Sequence, residues 1–224
     1  MLSIIISAFN KINFTMSALN DLFRLETDYE ILLIDNASTD DTKNKLSQIN
    51  KCNFHYIRNN DNLFHSKACN IGFSLSKGNY VFFINNDIKV RSNHSNWTDN
   101  IIKHCDNNIV GPTMGLLDHN FNFIKEDNKE LSGNSYLSGW CIASSRENWK
   151  KLDINGNNQI FDEQFPMYFN DTDLGFRCKK LNIPMKVVDV PIVHFGKIST
   201  SQLNIPQLYT QARTIFINKW LGKI

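Results

Sequence analysis

Short apolar runs that end in polar clusters recur along the first half of the chain. Three such runs are Leu2–Ile6, Glu30–Ile34 and the one that opens the stretch Val81–Val90. Runs of this length between turn residues predict buried strands. They end in polar clusters at Ser7–Asn10, Asp35–Asp41 and Asn85–Asp87. Because open α/β sheets bind ligands at the carboxyl ends of their strands, these clusters predict one shared crevice.

Segments with helical spacing lie between these strands, and such alternation predicts a parallel sheet with right-handed crossovers. The first predicted helix is Phe14–Leu25, with Asn13 as its N-cap. The other predicted elements here are a helix at Thr42–Ile49 introduced by Asp40 and Asp41, a strand at Phe54–Ile57 and a helix at His65–Ser76.

The second half of the chain has a different pattern. Phe121–Asn134 is polar without a clear period, so it predicts either a hairpin or a mobile loop. The predicted elements around it are a helix at His94–Lys103, strands at Ile109–Met114 and Tyr136–Ala143, a helix at Phe169–Leu181, a strand-like stretch over Pro184–Val193 and a helical segment at Leu203–Leu221. No repeat or linker separates the halves, which predicts a single compact domain.

Composition narrows the possible partners. The net charge of +2, without a basic tract carrying interleaved aromatic residues, argues against nucleic acid and favours small-molecule or saccharide partners. The five cysteines are scattered without a C-x-x-C pair, which indicates a reducing compartment. No signal peptide and no apolar run near the roughly 20 residues of a membrane span is found. We expect a soluble cytoplasmic protein, or one of the host cytoplasm if it is viral. The last predicted helical segment, Leu203–Leu221, would pack in the core, form a lid or contact a membrane surface.

Several sequence blocks follow one another in order along nearly the whole chain. They are SIIISAFN (Ser3–Asn10), ILLIDNASTDDT (Ile31–Thr42), NLFHSKACNIGFSLSKGNYVFFINND (Asn62–Asp87), SGW (Ser138–Trp140), FDEQF (Phe161–Phe165), YFNDTDLGFR (Tyr168–Arg177) and His194. With these blocks the chain resembles the inverting glycosyltransferases of family 2. The resemblance implies the GT-A fold, an α/β fold with a mostly parallel, Rossmann-like central sheet flanked by helices. It also implies a nucleotide-sugar-binding part at about residues 1–90 and an acceptor-binding part with the catalytic base at about 91–224.

The chain departs from the usual family pattern at three positions. Asn170 stands where a glutamate is usual, Asn85 stands at the first aspartate of the metal motif, and Phe64 stands at a position that is commonly glycine. The Asn-Asn-Asp form resembles rhamnosyltransferase-like members and leaves the donor sugar open. The absence of a Gln-x-x-Arg-Trp block makes the resemblance to processive synthases poor.

Sugar transfer from a nucleotide diphosphate leaves negative charge on the departing group, which calls for a divalent cation or cationic side chains. Asp87 is the predicted ligand of Mg²⁺ or Mn²⁺, although a carboxylate here could also cap a turn. The resemblance implies that His194 binds the metal or the diphosphate; a structural histidine is the alternative. Asn85 could hydrogen-bond the sugar or coordinate weakly, and Asn86 is grouped with it in the nucleotide-sugar site.

Asp35 can accept the imide N–H of uracil or thymine, and Phe9 offers an aromatic face beside it. This chemistry favours a UDP- or dTDP-sugar, although Phe9 could equally be core. Ser7, Ser38 and Asn70 could complete the base and ribose contacts or act as local caps.

Asp171 matches the family's general base and lies at a predicted helix start, where an anion is favoured. Asp173 points elsewhere on that helix and could pair with Arg177 four residues on. Gly139 and Trp140 are predicted to form the floor of the acceptor site, where the indole would stack on a sugar ring. The alternative is that Trp140 is a buried structural residue.

The sequence therefore predicts a metal-dependent inverting glycosyltransferase. It would move a sugar from a UDP- or dTDP-sugar to a hydroxyl of a saccharide or glycoconjugate acceptor by single displacement. Asn85 and Asn170 keep open a catalytically weak nucleotide- or saccharide-binding module. A nucleotidyltransferase is disfavoured, since no Gly-rich phosphate loop with Lys or Arg follows the first strand.

Overall fold

The computed structural model describes residues 1–91, 95–196 and 205–222. The strands, in chain order, are β1 (Leu2–Ala8), β2 (Tyr29–Asp35), β3 (Phe54–Arg58), β4 (Tyr80–Ile84), β5 (Ile88–Val90), β6 (Ile109–Gly111), β7 (Met114–Leu117), β8 (Phe123–Asp127), β9 (Asn134–Leu137), β10 (Cys141–Ser145), β11 (Met185–Val187) and β12 (Ile192–His194). The helices are α1 (Ile12–Leu22), α2 (Thr42–Ser47), α3 (Phe64–Leu75), α4 (Trp97–Cys105), α5 (Arg146–Lys151), α6 (Asn170–Lys180) and α7 (Ile205–Trp220).

The central sheet has seven strands in the order β11-β6-β10-β4-β1-β2-β3. Its strand pairs are parallel except where β10 runs antiparallel to β4 and β6. The predicted mostly parallel sheet flanked by helices is therefore confirmed. Strands from both halves of the chain share this one sheet, so the chain forms one domain.

The apolar runs are continuous because the sheet is buried on both faces. Ile4 and Ile6 of β1 join a core cluster that includes residues of α1 and α4. Ile5, which points to the opposite face, joins a second cluster with residues of α3, α5 and α6. The middle of β1 is therefore apolar on both faces, whereas the buried Ser3 near its start hydrogen-bonds to Glu30 of β2.

A smaller antiparallel sheet, in the order β8-β7-β9, carries the second half's variable segment. Phe121–Asn134 is not a hairpin by itself: it contains the strand β8, which forms a hairpin with β7, a strand that lies before the predicted segment. A third core cluster joins Phe121 to Phe176 of α6 and to Phe216 and Trp220 of α7. Among the described residues, no helix has the length and apolar character that crossing a membrane requires.

A two-stranded antiparallel ribbon, β5 with β12, links the two predicted metal-site residues. His194 pairs with Ile88, and the N–H of Phe195 donates to the carbonyl of Asp87 at 3.0 Å. The ribbon therefore fixes His194 beside Asp87, although the two are far apart in sequence.

Three sequence predictions need correction. Helix α1 starts at Ile12, so Asn13 is not its cap; Asp40 Oδ2 instead accepts the Ile12 N–H at 3.2 Å. The predicted strand Ile109–Met114 is two strands, because Pro112 cannot donate to a ladder. The predicted strand Tyr136–Ala143 is also two, in different sheets, separated by Ser138–Trp140. The described part of the predicted helix His94–Lys103 begins at Trp97, and His94 lies outside the described residues.

Candidate active site

A cavity of about 740 Å³ lies beyond the carboxyl ends of β1, β2 and β4. This is the edge where the polar clusters were predicted to meet. The predicted site residues that line it are Ser7, Phe9, Asn85, Asn86, Asp87, Gly139, Trp140, Asp171 and His194. The structure does not bring Asp35, Ser38 or Asn70 into this lining.

Asp87 and His194 face each other at the end of β4. Asp87 is 4% exposed, and its Oδ1 lies 3.1 Å from Nε2 of His194. The contact is close but lacks hydrogen-bond geometry, so Oδ1 is a buried carboxylate oxygen without a hydrogen-bond donor. A buried charged oxygen left in this way is costly unless another group satisfies it.

The His194 ring is held by Trp140. The two rings stack with centroids 5.0 Å apart and planes 9° apart. The Trp140 Nε1–H in turn donates to Thr113 Oγ1 at 3.0 Å. On the other side, Asn85 Nδ2 lies 3.2 Å from His194 Nε2. The imidazole is therefore fixed in orientation, and it covers one face of the indole that was predicted to receive a sugar.

The residues around Asp87 fit a divalent cation. A spacing near 3 Å is what two neighbouring ligands of an octahedral ion at about 2.1 Å have. The donor set of one carboxylate and one imidazole suits Mn²⁺, and the carboxylate alone suits Mg²⁺. Over the described ranges, no group of three or more His, Cys, Asp or Glu side chains is arranged to hold a metal. A cation at Asp87 therefore depends on further oxygen ligands, as Mg²⁺ sites completed by substrate phosphates do.

Asp171 lies at the first turn of α6 and lines the same cavity. Its Oδ2 accepts the Gly139 N–H at 2.9 Å, and its Oδ1 accepts the Thr172 N–H at 2.7 Å. A Cβ on residue 139 would lie 3.0 Å from that of Asp171, so glycine permits this close approach. Burial raises the pKa of the Asp171 carboxyl, and the nearby charge of Glu126 adds to the effect. An oriented carboxylate with a raised pKa has the properties of a general base.

Asp173 has a different environment from Asp171. It is fully buried, and its carboxylate contacts Arg177 Nε at 2.9 Å, as the four-residue spacing predicted. It also contacts Lys219 Nζ and Trp220 Nε1, each at 2.8 Å. Asp173 therefore attaches α7 to α6.

Asn170, at the position where a glutamate is usual, is buried at the cavity wall. Its Nδ2 contacts Ser66 Oγ at 3.3 Å, and its Oδ1 accepts the Asp171 N–H at 2.8 Å. The side chain thus connects the start of α6 to α3 beside the predicted base.

Asp35 is enclosed at the end of β2. Its Oδ2 accepts hydrogen bonds from Tyr56 Oη at 2.6 Å and from Arg58, and its Oδ1 accepts the Ser38 N–H at 2.9 Å. Ser38 Oγ accepts the Asn10 N–H at 2.7 Å. Asn70 exchanges two hydrogen bonds of 2.9 Å with the backbone of Phe161. In the structure these three side chains hold loops around the cavity.

The cavity is also lined by residues that were not among the predicted site residues. They are Asn36, Asn62, Phe64, His65, Glu126, Tyr136, Ser138, Met167, Tyr168, Asn170 and Tyr209. Asn36 lies in a polar cluster that was predicted to reach the crevice, so that signal could have identified it. Glu126 and Tyr209 come from β8 and from α7, and no sequence pattern singled out these two residues within their elements.

Left-handed backbone at residues other than glycine occurs in several loops around the cavity. Ala37 has φ 60°, Phe64 has φ 60° and Phe169 has φ 62°. Each such conformation costs roughly 1–2 kcal/mol and persists where surrounding contacts hold it. At Phe64 the contacts are the Asn62 side chain, which accepts its N–H, and the Asn36 side chain, which donates to its carbonyl.

Residues 3–128, more than half of the chain, match the family described as Glycosyl transferase family 2. The chain therefore belongs to this family of glycosyltransferases. No curated protein matches the chain in sequence.

Solved structures with low sequence identity share the fold. S. aureus TarS 1-349 in complex with UDP-GlcNAc has a TM-score of 0.66 at 18% identity, covering 100% of this chain and 67% of that one. GalNAc-T7 with UDP, GalNAc and Mn²⁺ has a TM-score of 0.72 at 14% identity, covering 97% and 47%. Mannosyltransferase PcManGT from Pyrobaculum calidifontis with GDP-Man and Mn²⁺ has a TM-score of 0.62 at 12% identity, covering 84% and 54%. The chain spans only 35% of another TarS structure, so those proteins contain further parts.

Proposed function

We propose that the protein is an inverting, divalent-cation-dependent glycosyltransferase that uses a pyrimidine nucleotide-sugar. A hydroxyl of a saccharide or glycoconjugate acceptor would attack the anomeric carbon from the face opposite the leaving diphosphate. The observation that carries this proposal is that Asp87, His194 and Asp171 line one cavity. Such a reaction requires a cation-binding carboxylate and a base at one site.

The donor is proposed to lie at the end of the cavity formed by Ser7, Phe9 and Asn36. Two of the three structural neighbours were solved with UDP or UDP-GlcNAc and the third with GDP-Man. These neighbours support a nucleotide-sugar donor, and the two uridine complexes favour a pyrimidine. The half-buried Phe9 ring offers a face on which a base can stack.

Asp87 and His194 would hold the cation, Mn²⁺ or Mg²⁺. When bound, it supplies positive charge next to the diphosphate oxygens on which negative charge develops. Asp87 Oδ1, a buried oxygen without a hydrogen-bond donor, supports this proposal, as does Mn²⁺ in the PcManGT and GalNAc-T7 structures. Trp140 keeps His194 in place by stacking on it.

Asp171 would accept the proton of the acceptor hydroxyl. The N–H groups of Gly139 and Thr172 hold its carboxylate in one orientation. Burial raises the pKa of Asp171, which makes the ionised carboxylate a stronger proton acceptor. A base in this role contributes roughly 10²- to 10⁴-fold to the rate.

A catalytically weak nucleotide- or saccharide-binding module is the second candidate. The observation that favours it is that Asn85 and Asn170, both at the cavity wall, are neutral amides. A neutral Asn85 lowers the negative charge available to a cation beside Asp87. The two functions differ in whether the bound donor turns over.

The test compares wild type with Asp171→Asn, with Glu26→Gln at an exposed position as the control. Each protein is incubated with UDP- and dTDP-sugars, Mn²⁺ and methyl glycosides. Proton NMR follows donor loss and the anomeric configuration of the product. We expect inverted product from wild type and the control, and a rate roughly 10²- to 10⁴-fold lower for Asp171→Asn with donor binding retained. Wild-type turnover in Asp171→Asn would contradict the base assignment. Donor binding without turnover in wild type would favour the binding module.

A further inference from the structure

One wall of the cavity is built from residues of three elements in the second half of the chain. Glu126 lies on β8, Tyr136 on β9 and Tyr209 on α7, and Tyr168 precedes α6. We call these four residues the acceptor wall. They line the cavity together with Asp171, which Tyr168 precedes by three residues in the chain.

The tyrosine rings of the acceptor wall are fixed by packing. Tyr209 packs on Phe169 with ring centroids 5.3 Å apart and on Tyr168 with centroids 5.7 Å apart. Tyr136 lies so close over Gly115 that a Cβ there would be 2.5 Å from its Cζ. Tyr209 nevertheless keeps 38% of its surface exposed. The wall thus presents an ordered aromatic surface to the cavity.

The wall also carries negative charge next to the predicted base. Glu126 Oε1 accepts a hydrogen bond from Thr113 Oγ1 at 2.6 Å and lies 3.4 Å from Trp140 Nε1. Burial raises the pKa of the Tyr136 hydroxyl, and the charges of Asp171 and Glu126 add to the effect. Asp171 and Glu126 contact the consecutive residues Gly139 and Trp140, and both line the cavity, so their carboxylates lie in the same part of the site.

We propose that the acceptor wall is a saccharide subsite that takes a neutral or amino-substituted sugar in preference to an anionic one. Aromatic rings stack on the apolar face of a sugar, and carboxylates accept hydrogen bonds from hydroxyl and ammonium groups. A carboxylate or phosphate on the sugar would instead face two like charges, one on the half-buried Asp171 and one on the exposed Glu126. This inference rests on the proposed function, because the wall is assigned to the acceptor through its position beside Asp171.

Trp140 is less suited to be the stacking surface. The imidazole of His194 lies parallel on its indole, and the residue is only 9% exposed. Tyr209 and Tyr168 therefore replace Trp140 as the rings on which the sugar is expected to lie.

The test is an NMR titration of the whole protein with three probes: methyl glucoside, methyl 2-amino-2-deoxyglucoside and methyl glucuronide. The variants are Glu126→Gln and Tyr209→Ala. Their matched controls are Glu130→Gln, on an exposed residue four positions further along the chain, and Thr210→Ala, on an exposed neighbour of Tyr209. No nucleotide or cation is added, so the titration reports on sugar binding alone.

We expect wild type to bind the two uncharged or cationic glycosides at least tenfold more tightly than the glucuronide, which corresponds to about 1.4 kcal/mol. Glu126→Gln should reduce this preference at least threefold, mainly by strengthening the glucuronide. Tyr209→Ala should weaken all three probes to a similar degree. The two controls should leave the preference as in wild type.

Equal or tighter binding of the glucuronide to wild type would overturn the proposal. An unchanged preference in Glu126→Gln, or no binding of any glycoside by the folded protein, would also overturn it. If the protein turns over a nucleotide-sugar and yet fails this titration, the subsite alone is wrong. If it passes the titration but never turns over a donor, the transfer reaction is wrong and the subsite stands.

Discussion

Asp171 and Asp173 lie two residues apart on α6, yet their carboxylates contact different parts of the molecule. Asp171 accepts the Gly139 N–H at the cavity, whereas Asp173 contacts Arg177, Lys219 and Trp220 in the interior. Residues two apart on a helix do not share a face. One turn of α6 therefore carries both the predicted base and the residue that anchors the last helix.

Asp173→Asn should strongly destabilise the fold. The substitution leaves the largely buried Arg177 guanidinium without its carboxylate and removes one of the two carboxylates that contact Lys219, which keeps Asp162 at 2.7 Å. Loss of one partner from a buried pair costs about 3–5 kcal/mol. Urea unfolding at neutral pH measures the loss, and a cost similar to that of the exposed control Glu26→Gln would contradict this role.

Asp171→Asn should change the pH dependence of stability. Because burial raises the pKa of Asp171 in the folded protein, the ionised carboxylate destabilises the fold at any pH above that raised pKa. The penalty disappears as the pH falls towards the unfolded value of about 3.9. Asparagine carries no charge, but it offers only one acceptor oxygen to the N–H groups of Gly139 and Thr172, a cost that is the same at both pH values. The stability of the variant relative to wild type should therefore rise from pH 4.5 to pH 7. Urea unfolding at both pH values measures this, and a relative stability that falls or stays constant would contradict it.

The same raised pKa of Asp171 predicts the pH dependence of the reaction. The base works only when ionised, so kcat should fall in acid around a pKa above the ordinary aspartate value of about 3.9. The charge of Glu126 adds to the raised pKa of Asp171, so Glu126→Gln should move this acid limb to lower pH. A pH–rate profile of both proteins checks the shift; a limb that moves to higher pH would contradict it.

Phe64 provides a test of backbone strain at the cavity. Phe64→Gly and Phe64→Ala both remove the ring, but only glycine adopts φ 60° without strain. Unfolding of the glycine variant should therefore require about 1 kcal/mol more than unfolding of the alanine variant. Thermal or urea unfolding of the two variants compares them directly. Higher stability of the alanine variant would show that the left-handed conformation carries no cost.

The sequence predicted the parallel part of the central sheet well, because strands that are buried on both faces consist of continuous apolar runs. It failed at Tyr136–Ala143, where the apolar pattern continues although the chain passes from the small sheet to the central one. The break at Gly139 is required by the approach of Asp171, a contact between residues far apart in sequence. Local patterns contain no signal for such a contact.

The structure brings only some of the motif residues to the cavity. Asp87, Asp171 and His194 line it, whereas Asp35 lies enclosed by Tyr56 and Arg58. Asp35 is enclosed because Tyr56 and Arg58 of β3 donate hydrogen bonds to it, and the motif after β2 does not specify residues of β3. Glu126 and Tyr209 were missed because their place depends on how the hairpin and α7 pack. Their roles, like those of the motif residues, stay predictions.

The central claim is that Asp87 makes nucleotide-sugar binding depend on a divalent cation. Thermal shifts of wild type, Asp87→Ala and Glu26→Gln with UDP- and dTDP-sugars, with and without Mn²⁺, test it most directly. A ligand at about 100 times its dissociation constant stabilises the fold by roughly 2.7 kcal/mol. We predict an Mn²⁺-dependent shift with at least one donor in wild type and Glu26→Gln, and none in Asp87→Ala. An equal shift without Mn²⁺, or an Mn²⁺-dependent shift retained by Asp87→Ala, would contradict the claim.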